Sequence, residues 1–164
     1  MITLVLGGAR SGKSEAAERM AARLGDAVTF VATGWAPDQD EEMAERIAVH
    51  RRRRPATWST VEVDGDLAGA LSDLDGPVLV DALGTWLARG DRFELDAGRL
   101  CQALTERRGD TVVVSDEVGM GVHPSTETGR QFRDALGTLN QRVADVADHV
   151  VLVVAGRVLQ LDRP

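Results

Sequence analysis

The fold of this 164-residue chain is decided by one stretch near its start, Gly7-Gly8-Ala9-Arg10-Ser11-Gly12-Lys13-Ser14. The stretch matches the spacing G-x-x-x-x-G-K-S/T of a phosphate-binding loop, or P-loop. Residues 2–6 before it form an apolar run suited to a buried parallel strand. Residues 15–24 after it are rich in helix formers and contain neither Gly nor Pro. Strand, loop and helix therefore follow one another in the order that this motif requires.

The P-loop predicts a binding site for a nucleoside triphosphate. Its glycines allow the backbone to turn tightly, and its inward N–H groups and the helix N-terminus attract phosphate. In such a loop the Lys13 ammonium reaches the β- and γ-phosphates, and the Ser14 hydroxyl holds Mg²⁺. The alternative is an ordinary glycine-rich turn that binds nothing, and the completeness of the pattern argues against it.

Length and composition indicate a single domain over residues 1–164, and the motif predicts that it is a P-loop nucleotide-binding catalytic domain. The net charge of −7 argues against nucleic-acid binding. No apolar stretch approaches the roughly 18–20 residues that span a bilayer, and the first residues are typical of a strand rather than of a signal peptide. Because Cys101 is the only cysteine, we expect an inert buried thiol and a cytoplasmic protein.

Apolar runs and helix-forming segments alternate along the rest of the chain. This order predicts an α/β fold of the P-loop NTPase-like type, with a mostly parallel sheet flanked by helices and a C-terminal antiparallel hairpin. The predicted strands are 28–32, 58–63, 78–81, 111–115, 149–154 and 158–161. The predicted helices are 38–53, 66–74, 83–88, 95–108 and 127–147, the last capped by Ser125 or Thr126, and residues 89–92 are predicted to form an exposed loop.

Polar residues follow the carboxyl ends of several predicted strands, where open α/β sheets bind their ligands. Thr33 either lines the site or belongs to a plain turn. Asp81 stands where a Walker B acid holds Mg²⁺, and a strand-end or helix-cap aspartate is the alternative. The glycine-rich residues 117–124 follow another strand that ends in acids, and we expect them to form a second wall of the site.

A histidine beside four arginines is the second candidate for chemistry. In the predicted helix 38–53, Met43, Ile47 and His50 lie on one face, and Arg51 to Arg54 follow directly. On one interpretation this is a satisfied histidine next to a solvated basic helix end. On the other, the arginines neutralise phosphates and keep His50 neutral, so that its imidazole acts as a nucleophile. Spacing alone leaves both interpretations open.

Taken together, these motifs make the chain similar to one family. It resembles the bifunctional adenosylcobinamide kinase / adenosylcobinamide-phosphate guanylyltransferase of cobalamin biosynthesis, over nearly its whole length. Besides the P-loop, the resemblance rests on Ala32-Thr33, Asp40-Glu41-Glu42-Met43, His50-x-x-x-Arg54-Pro55, Trp58-x-Thr60-x-Glu62, Glu117-Val118-Gly119-Met120-Gly121 and Phe132-Arg133-Asp134-x-x-Gly137-x-x-Asn140-Gln141. The histidine segment and the Glu-Val-Gly-Met-Gly run are far more specific than the P-loop.

The resemblance implies two reactions in one protein. A nucleoside triphosphate, ATP or GTP, phosphorylates the aminopropanol hydroxyl of adenosylcobinamide. GTP then transfers GMP to a histidine, aligned with His50, and from there to adenosylcobinamide phosphate, which yields adenosylcobinamide-GDP. The resemblance also implies a homotrimer with active sites between subunits, acting on a corrinoid small molecule.

The predicted site follows from the motifs and the resemblance together. His50 and Lys13 are predicted to be catalytic, and Ser14 and Asp81 to hold Mg²⁺. Glu62 is expected to contact guanine or ribose, and the arginines to contact phosphate. The predicted nucleotide-binding residues are Gly7, Gly8, Ala9, Arg10, Ser11, Gly12, Lys13, Ser14, Thr33, Gly34, Trp35, Arg51, Arg52, Arg53, Arg54, Glu62 and Asp81.

Two alternatives remain open at this stage. The chain could carry out a single reaction, as a P-loop kinase or a guanylyltransferase alone. It could also be a nucleotide-dependent switch that binds a protein partner, although a switch needs a positioned water and mobile loops rather than a histidine among arginines. His123 and His149, the other histidines, are predicted to be structural.

Overall fold

A computed structural model of the chain describes residues 1–34 and 54–163. Strands and helices alternate along it. The strands are β1 (Ile2–Gly7), β2 (Thr29–Ala32), β3 (Ser59–Glu62), β4 (Val78–Asp81), β5 (Thr111–Asp116), β6 (His149–Val154) and β7 (Arg157–Leu161). The helices are α1 (Lys13–Ala21), α2 (Leu67–Ser72), α3 (Leu83–Leu87), α4 (Ala97–Glu106) and α5 (Glu127–Val146), and a 3₁₀ turn covers Asp91–Phe93. The predicted helix 38–53 lies outside the described residues.

One seven-stranded sheet forms the centre of the molecule, in the order β3-β2-β4-β5-β1-β6-β7. Every neighbouring pair is parallel except β6 and β7. This confirms the predicted class, a mostly parallel P-loop-type sheet flanked by helices with a C-terminal antiparallel hairpin. Because β1 lies between β5 and β6, the P-loop that follows it lies in the interior of the carboxyl edge and not at its ends.

The core has two layers because side chains alternate across the sheet. On one face, Val5 packs with the alanines of α1 (Ala16, Ala17 and Ala21). On the other, Leu4 packs with apolar residues of α2 to α5, among them Leu67, Leu83, Leu100 and Leu136. All six residues of β1 are buried. A strand covered on both faces has no solvent-facing side, which is why its sequence is apolar except for the buried Thr3.

Side-chain caps determine where three helices begin. The Asp66 carboxylate accepts a hydrogen bond from Gly69 N at the start of α2, and Asp96 accepts one from Arg99 N at the start of α4, each at 2.9 Å. The cap of α5 is Thr126, which settles the choice between Ser125 and Thr126. These oxygens satisfy backbone donors that the first helical turn leaves unpaired.

The prediction of an exposed loop at 89–92 is wrong for Arg89. Its guanidinium is half-buried and bonded to two neighbouring loops. Sequence reasoning treated the local run Arg-Gly-Asp-Arg as solvated because it is charged and contains a glycine. The tertiary fold instead provides carbonyl acceptors that the local sequence does not show.

In the described part of the chain, no helix combines the length and the apolar character needed to cross a membrane.

Arg107 joins several chain segments at the amino edge of the sheet. Its Nη1 donates to Gly109 O at 2.9 Å and to Thr111 Oγ1 at 2.7 Å. Its Nη2 donates to Leu74 O at 3.2 Å and to Gly76 O at 2.7 Å. Burial lowers the pKa of the Arg107 guanidinium below its usual value, because water stabilises the charge less there. The hydrogen bonds compensate for that lost hydration.

We expect Arg107→Met to lower the free energy of unfolding by about 2–4 kcal/mol, because buried carbonyl groups lose a charged donor. Urea denaturation followed by circular dichroism measures the change. The exposed neighbour Arg108 is the matched control, and Arg108→Met is expected to change the same free energy by less than about 0.5 kcal/mol. Equal effects of the two substitutions would contradict the role of Arg107.

Candidate nucleotide-binding and transfer site

The P-loop has a conformation that requires glycine at its last turn. Gly12 has φ +89°, a left-handed value that side chains rarely adopt, and it caps α1. A Cβ there would also lie 3.3 Å from Gly156 Cα, in the turn between β6 and β7. Gly156 N donates to Ser11 O at 2.8 Å, so this turn packs directly against the loop. The hairpin therefore supports the phosphate-binding backbone from one side.

Lys13 is held at the mouth of the loop by two oxygen acceptors. Its Nζ lies 2.7 Å from Asp116 Oδ1 and donates to Gly8 O at 3.2 Å. The lysine side chain is 12% exposed and that of Asp116 32% exposed. An ammonium that is pre-positioned in this way needs little reorganisation to meet a phosphate. Lys13 thus lies where the motif predicts it, at the open end of the P-loop.

Asp116 is a residue of the site to which sequence reasoning assigned no role. The sequence signal was present, since the residue ends a buried apolar strand. Its importance depends on the sheet order, which aligns Asp116 with Gly7 on the adjacent strand β1. The second carboxylate oxygen faces α3, where a Cβ built on Gly84 would lie 2.6 Å from Asp116 Oδ2. Gly84 therefore leaves the space that the carboxylate occupies.

We expect Gly84→Ala to slow the phosphoryl and guanylyl transfers that the resemblance implies by about 10- to 100-fold, because the new methyl group displaces Asp116 and with it Lys13. Steady-state rates with saturating nucleotide measure the effect. Gly137→Ala is the control, since a Cβ at that position of α5 meets nothing within 4 Å. It is expected to leave the rates unchanged and to raise the unfolding free energy by up to about 1 kcal/mol. Similar slowing by both substitutions would refute this role of Gly84.

The two predicted Mg²⁺ ligands lie side by side. Ser14 Oγ, at the start of α1, donates to Asp81 Oδ1 at 3.5 Å, although β5 separates their strands in the sheet. A hydroxyl and a carboxylate are the oxygen ligands that Mg²⁺ takes in phosphate-transfer sites, together with water and substrate phosphates. Among the described residues no group of three or more His, Cys, Asp or Glu side chains forms a metal cluster. The donor set therefore fits a metal ion shared with a bound nucleotide.

Thr33 joins the ends of β2 and β4. Its hydroxyl accepts from Ala82 N at 3.0 Å, donates to Ala82 O at 2.6 Å and lies 2.8 Å from Thr85 Oγ1. The residue is fully buried. That it also binds nucleotide stays a prediction. In this structure its hydroxyl links the end of β2 to the peptide that follows Asp81.

Arg89 is a second residue whose role sequence reasoning missed. Its Nε donates to Thr33 O at 3.1 Å, and its Nη1 donates to Asp64 O at 3.1 Å. The side chain thereby ties the loop after β2 to the loop after β3. No pattern in the sequence could have indicated this, because the three residues lie far apart along the chain and only the sheet order brings them together.

The remaining predicted residues divide into two groups. Glu62 is exposed and ends β3, where it pairs with Ala32 of β2. The guanidinium carbon of Arg54 lies 3.6 Å from the centre of the Phe30 ring, and Arg54 Nη1 donates to Thr60 Oγ1 at 3.0 Å. Gly34 follows Thr33, and a Cβ there would meet nothing within 4 Å. The others, Trp35, His50, Arg51, Arg52 and Arg53, lie outside the described residues, so their roles stay predictions.

The structure places the other two histidines on the loop after β5 and on β6. His123 Nδ1 lies 2.8 Å from Arg133 Nη1, and because a guanidinium only donates, Nδ1 is the acceptor. His149 opens β6 at the amino edge of the sheet, opposite the P-loop.

Burial raises the pKa of the Cys101 thiol above its usual value, which keeps it protonated at neutral pH, as an inert thiol requires.

The P-loop, the positioned Lys13 and the Ser14–Asp81 pair at the carboxyl edge of a mostly parallel sheet define an α/β nucleotide-binding protein of the phosphate-transferring class. The chain belongs to the family described as cobinamide kinase / cobinamide phosphate guanyltransferase, which matches residues 3–161. As a member of this family it is an enzyme with both activities. The predicted resemblance and the predicted enzyme class are confirmed.

Three curated relatives are similar to the chain over almost its whole length. The bifunctional adenosylcobalamin biosynthesis protein CobP of Pseudomonas aeruginosa is 44% identical, with 95% of this chain and 94% of the relative covered. Proteins named CobU from Salmonella typhimurium and Escherichia coli are 36% and 37% identical, each with 95% of this chain and 97% of the relative covered. A solved structure of the P4 protein from bacteriophage phi6 in complex with ADP is a more distant likeness, with a TM-score of 0.48 and 15% identity over 96% of this chain and 53% of that chain.

Proposed function

We propose that this chain phosphorylates adenosylcobinamide with ATP or GTP and then transfers GMP from GTP, through a guanylyl group on His50, to give adenosylcobinamide-GDP. The observation that carries the proposal is the convergence of Lys13, Ser14 and Asp81 at one edge of the sheet. Family membership defines the pair of reactions, and this convergence supports the proposal that both take place at this edge of the sheet.

In the first reaction the P-loop amides and Lys13 hold the β- and γ-phosphates of the donor. The aminopropanol oxygen of the corrinoid attacks the γ-phosphorus, the bond to the β-phosphate oxygen breaks, and the hydroxyl proton leaves to solvent or to a nearby base. Lys13 offsets the negative charge that grows on the leaving nucleoside diphosphate. When bound at Ser14 and Asp81, Mg²⁺ supplies further charge neutralisation on the phosphate oxygens.

In the second reaction the neutral imidazole of His50 attacks the α-phosphorus of GTP, and pyrophosphate leaves. An oxygen of adenosylcobinamide phosphate then attacks the guanylyl phosphorus, and the bond to His50 breaks. Two successive displacements allow one nucleophile to serve two bulky substrates in turn. We assign Arg51 to Arg54 to contacts with the phosphates and Glu62 to a contact with guanine or ribose, since Glu62 ends a strand at the same sheet edge.

The assembly is part of the proposal. We infer a cytoplasmic homotrimer with active sites between subunits, on the strength of the resemblance. The hairpin strand β7 supports an assembly of this kind because Val158 and Leu159 are 49% and 58% exposed on it, and apolar edge strands are commonly covered. Sedimentation velocity tests the inference, and a mass of one chain, 17.6 kDa, would refute it.

The experiment that tests the proposed function uses GTP labelled at the α-phosphate. The protein is incubated with it in the absence of corrinoid, denatured and freed of unbound nucleotide. A label that is lost in acid and retained in alkali indicates a phosphoramidate bond to histidine. Absence of any retained label, in a preparation that still phosphorylates cobinamide, would leave a kinase alone and would overturn the second reaction.

A further inference from the structure

The loop between β5 and α5 carries two apolar side chains in an unusually open position. Met120 is 73% exposed and Val122 is 96% exposed. The other exposed large apolar residues among those described are less open, and they lie at the first residue and on the β6–β7 hairpin. Adjacent exposed apolar side chains mark surfaces that bind a ligand or a partner more often than they occur by chance. We refer to residues 119–122 as the apolar loop tip.

Both ends of this loop are fixed to the body of the protein. At its start, Glu117 N donates to Gly7 O at 3.0 Å, and the Glu117 carboxylate accepts from Gly119 N at 2.6 Å. At its end, Arg130 Nη1 donates to Pro124 O at 3.1 Å, and Arg133 donates to His123. The apolar loop tip is therefore presented outward from two anchored ends, without burying its own side chains.

The position of the loop points to the substrate that it meets. Glu117 is bonded to the first residue of the P-loop, and the preceding Asp116 holds Lys13 at 2.7 Å. The loop that carries the apolar loop tip therefore begins beside the P-loop, where the proposed phosphoryl transfer takes place. The nucleotide is anionic where it meets the P-loop, and Met120 and Val122 offer nothing to a phosphate. The acceptor is a macrocycle with methyl groups on its rim, too large to enter the P-loop, so that only its aminopropanol arm reaches the phosphorus.

From this geometry we propose that Met120 and Val122 form a docking surface for the corrin ring of the acceptor. The inference rests on the proposed function, because it takes the corrinoid as substrate. Apolar contact with the ring rim would hold the macrocycle beside the P-loop while its arm extends toward Lys13. The same surface would serve both reactions, since both use the same corrinoid skeleton.

The test compares the wild-type chain with the double variant Met120→Ser/Val122→Ser. Both residues are exposed, so we expect the variant to fold with an unchanged melting temperature. Calorimetric titration with cobinamide itself should show a dissociation constant raised about 10-fold or more, because apolar contacts of this size contribute roughly that factor. Labelling by α-labelled GTP without corrinoid should stay within about twofold of wild type, because that step does not use the loop tip.

A conservative variant, Met120→Leu/Val122→Ile, is the matched control and should bind cobinamide like the wild type. An unchanged dissociation constant in the serine variant would overturn the proposal. So would a serine variant whose assembled mass is altered in sedimentation, since the tip would then be covered by a second copy of the chain. Because calorimetry needs no turnover, a protein that binds cobinamide but forms no guanylyl label would refute the proposed second reaction and leave the docking surface standing.

Discussion

Exchanging Lys13 for methionine is expected to slow both transfer reactions by about 10²- to 10³-fold or more, the usual cost of removing one pre-positioned charge at a phosphate or oxyanion. Methionine is of similar length and cannot donate to phosphate. In this structure the Lys13 ammonium is already held at the loop mouth by Asp116 and Gly8 O. The rate of cobinamide phosphorylation and the rate of protein labelling by GTP measure the two losses separately.

The matched control for Lys13 is Arg19→Met, which removes another cation from the same helix. Arg19 is 54% exposed and pairs across one helical turn with Glu15, at 2.6 Å. Such surface pairs contribute little to stability, about 0.3–0.5 kcal/mol. Both rates should therefore stay within about twofold of wild type. If Lys13→Met retained either reaction at full rate while folded, that reaction would not take place on the P-loop.

Replacing His50 by alanine is expected to separate the two reactions. Guanylyl transfer should fall by at least about 10³-fold, because removing a covalent nucleophile removes the intermediate itself. Phosphorylation of cobinamide should remain largely intact, because it needs the P-loop and not the imidazole. Labelling with α-labelled GTP and a phosphorylation assay on the same preparation measure the two outcomes together.

The control for His50 is His123→Ala, since His123 is bound to Arg133 and lies on the loop after β5. This variant should still take the GTP label in the absence of corrinoid. A label that persists in His50→Ala would show that another residue is the nucleophile. Loss of both reactions in a folded His50→Ala variant would show that the residue has a wider role than covalent catalysis.

The sheet could be predicted closely because its strands have a simple physical signature. Strands covered on both faces consist mainly of apolar residues, so the Val- and Leu-rich segments of β1, β4 and β5 stand out in the sequence. Helix starts were also visible where a side-chain oxygen caps the backbone, as at Thr126. Helix bounds were less well predicted elsewhere: the helix expected over 95–108 begins two residues later, at Ala97, and ends two residues earlier, at Glu106.

The residues that sequence reasoning missed share one property. Asp116, Arg89 and Arg107 each act on groups that are distant in sequence, through the order of strands in the sheet. A single sequence shows which strands exist, but it does not state that β5 lies between β4 and β1. Without that order, Asp116 is an acid at a strand end, and Arg89 is one charge in a polar run.

By itself, the amino-acid sequence determined the P-loop, the alternation of strands and helices, and the family, because each depends on spacing within a short segment or on motifs in a fixed order. Only the tertiary structure decided that Asp116 holds Lys13, that Ser14 lies beside Asp81, and that Met120 and Val122 stay open to solvent. The physical reason is that hydrogen bonds and charge pairs act over a few ångströms in space. Chain separation does not limit them once the sheet has brought its carboxyl ends together.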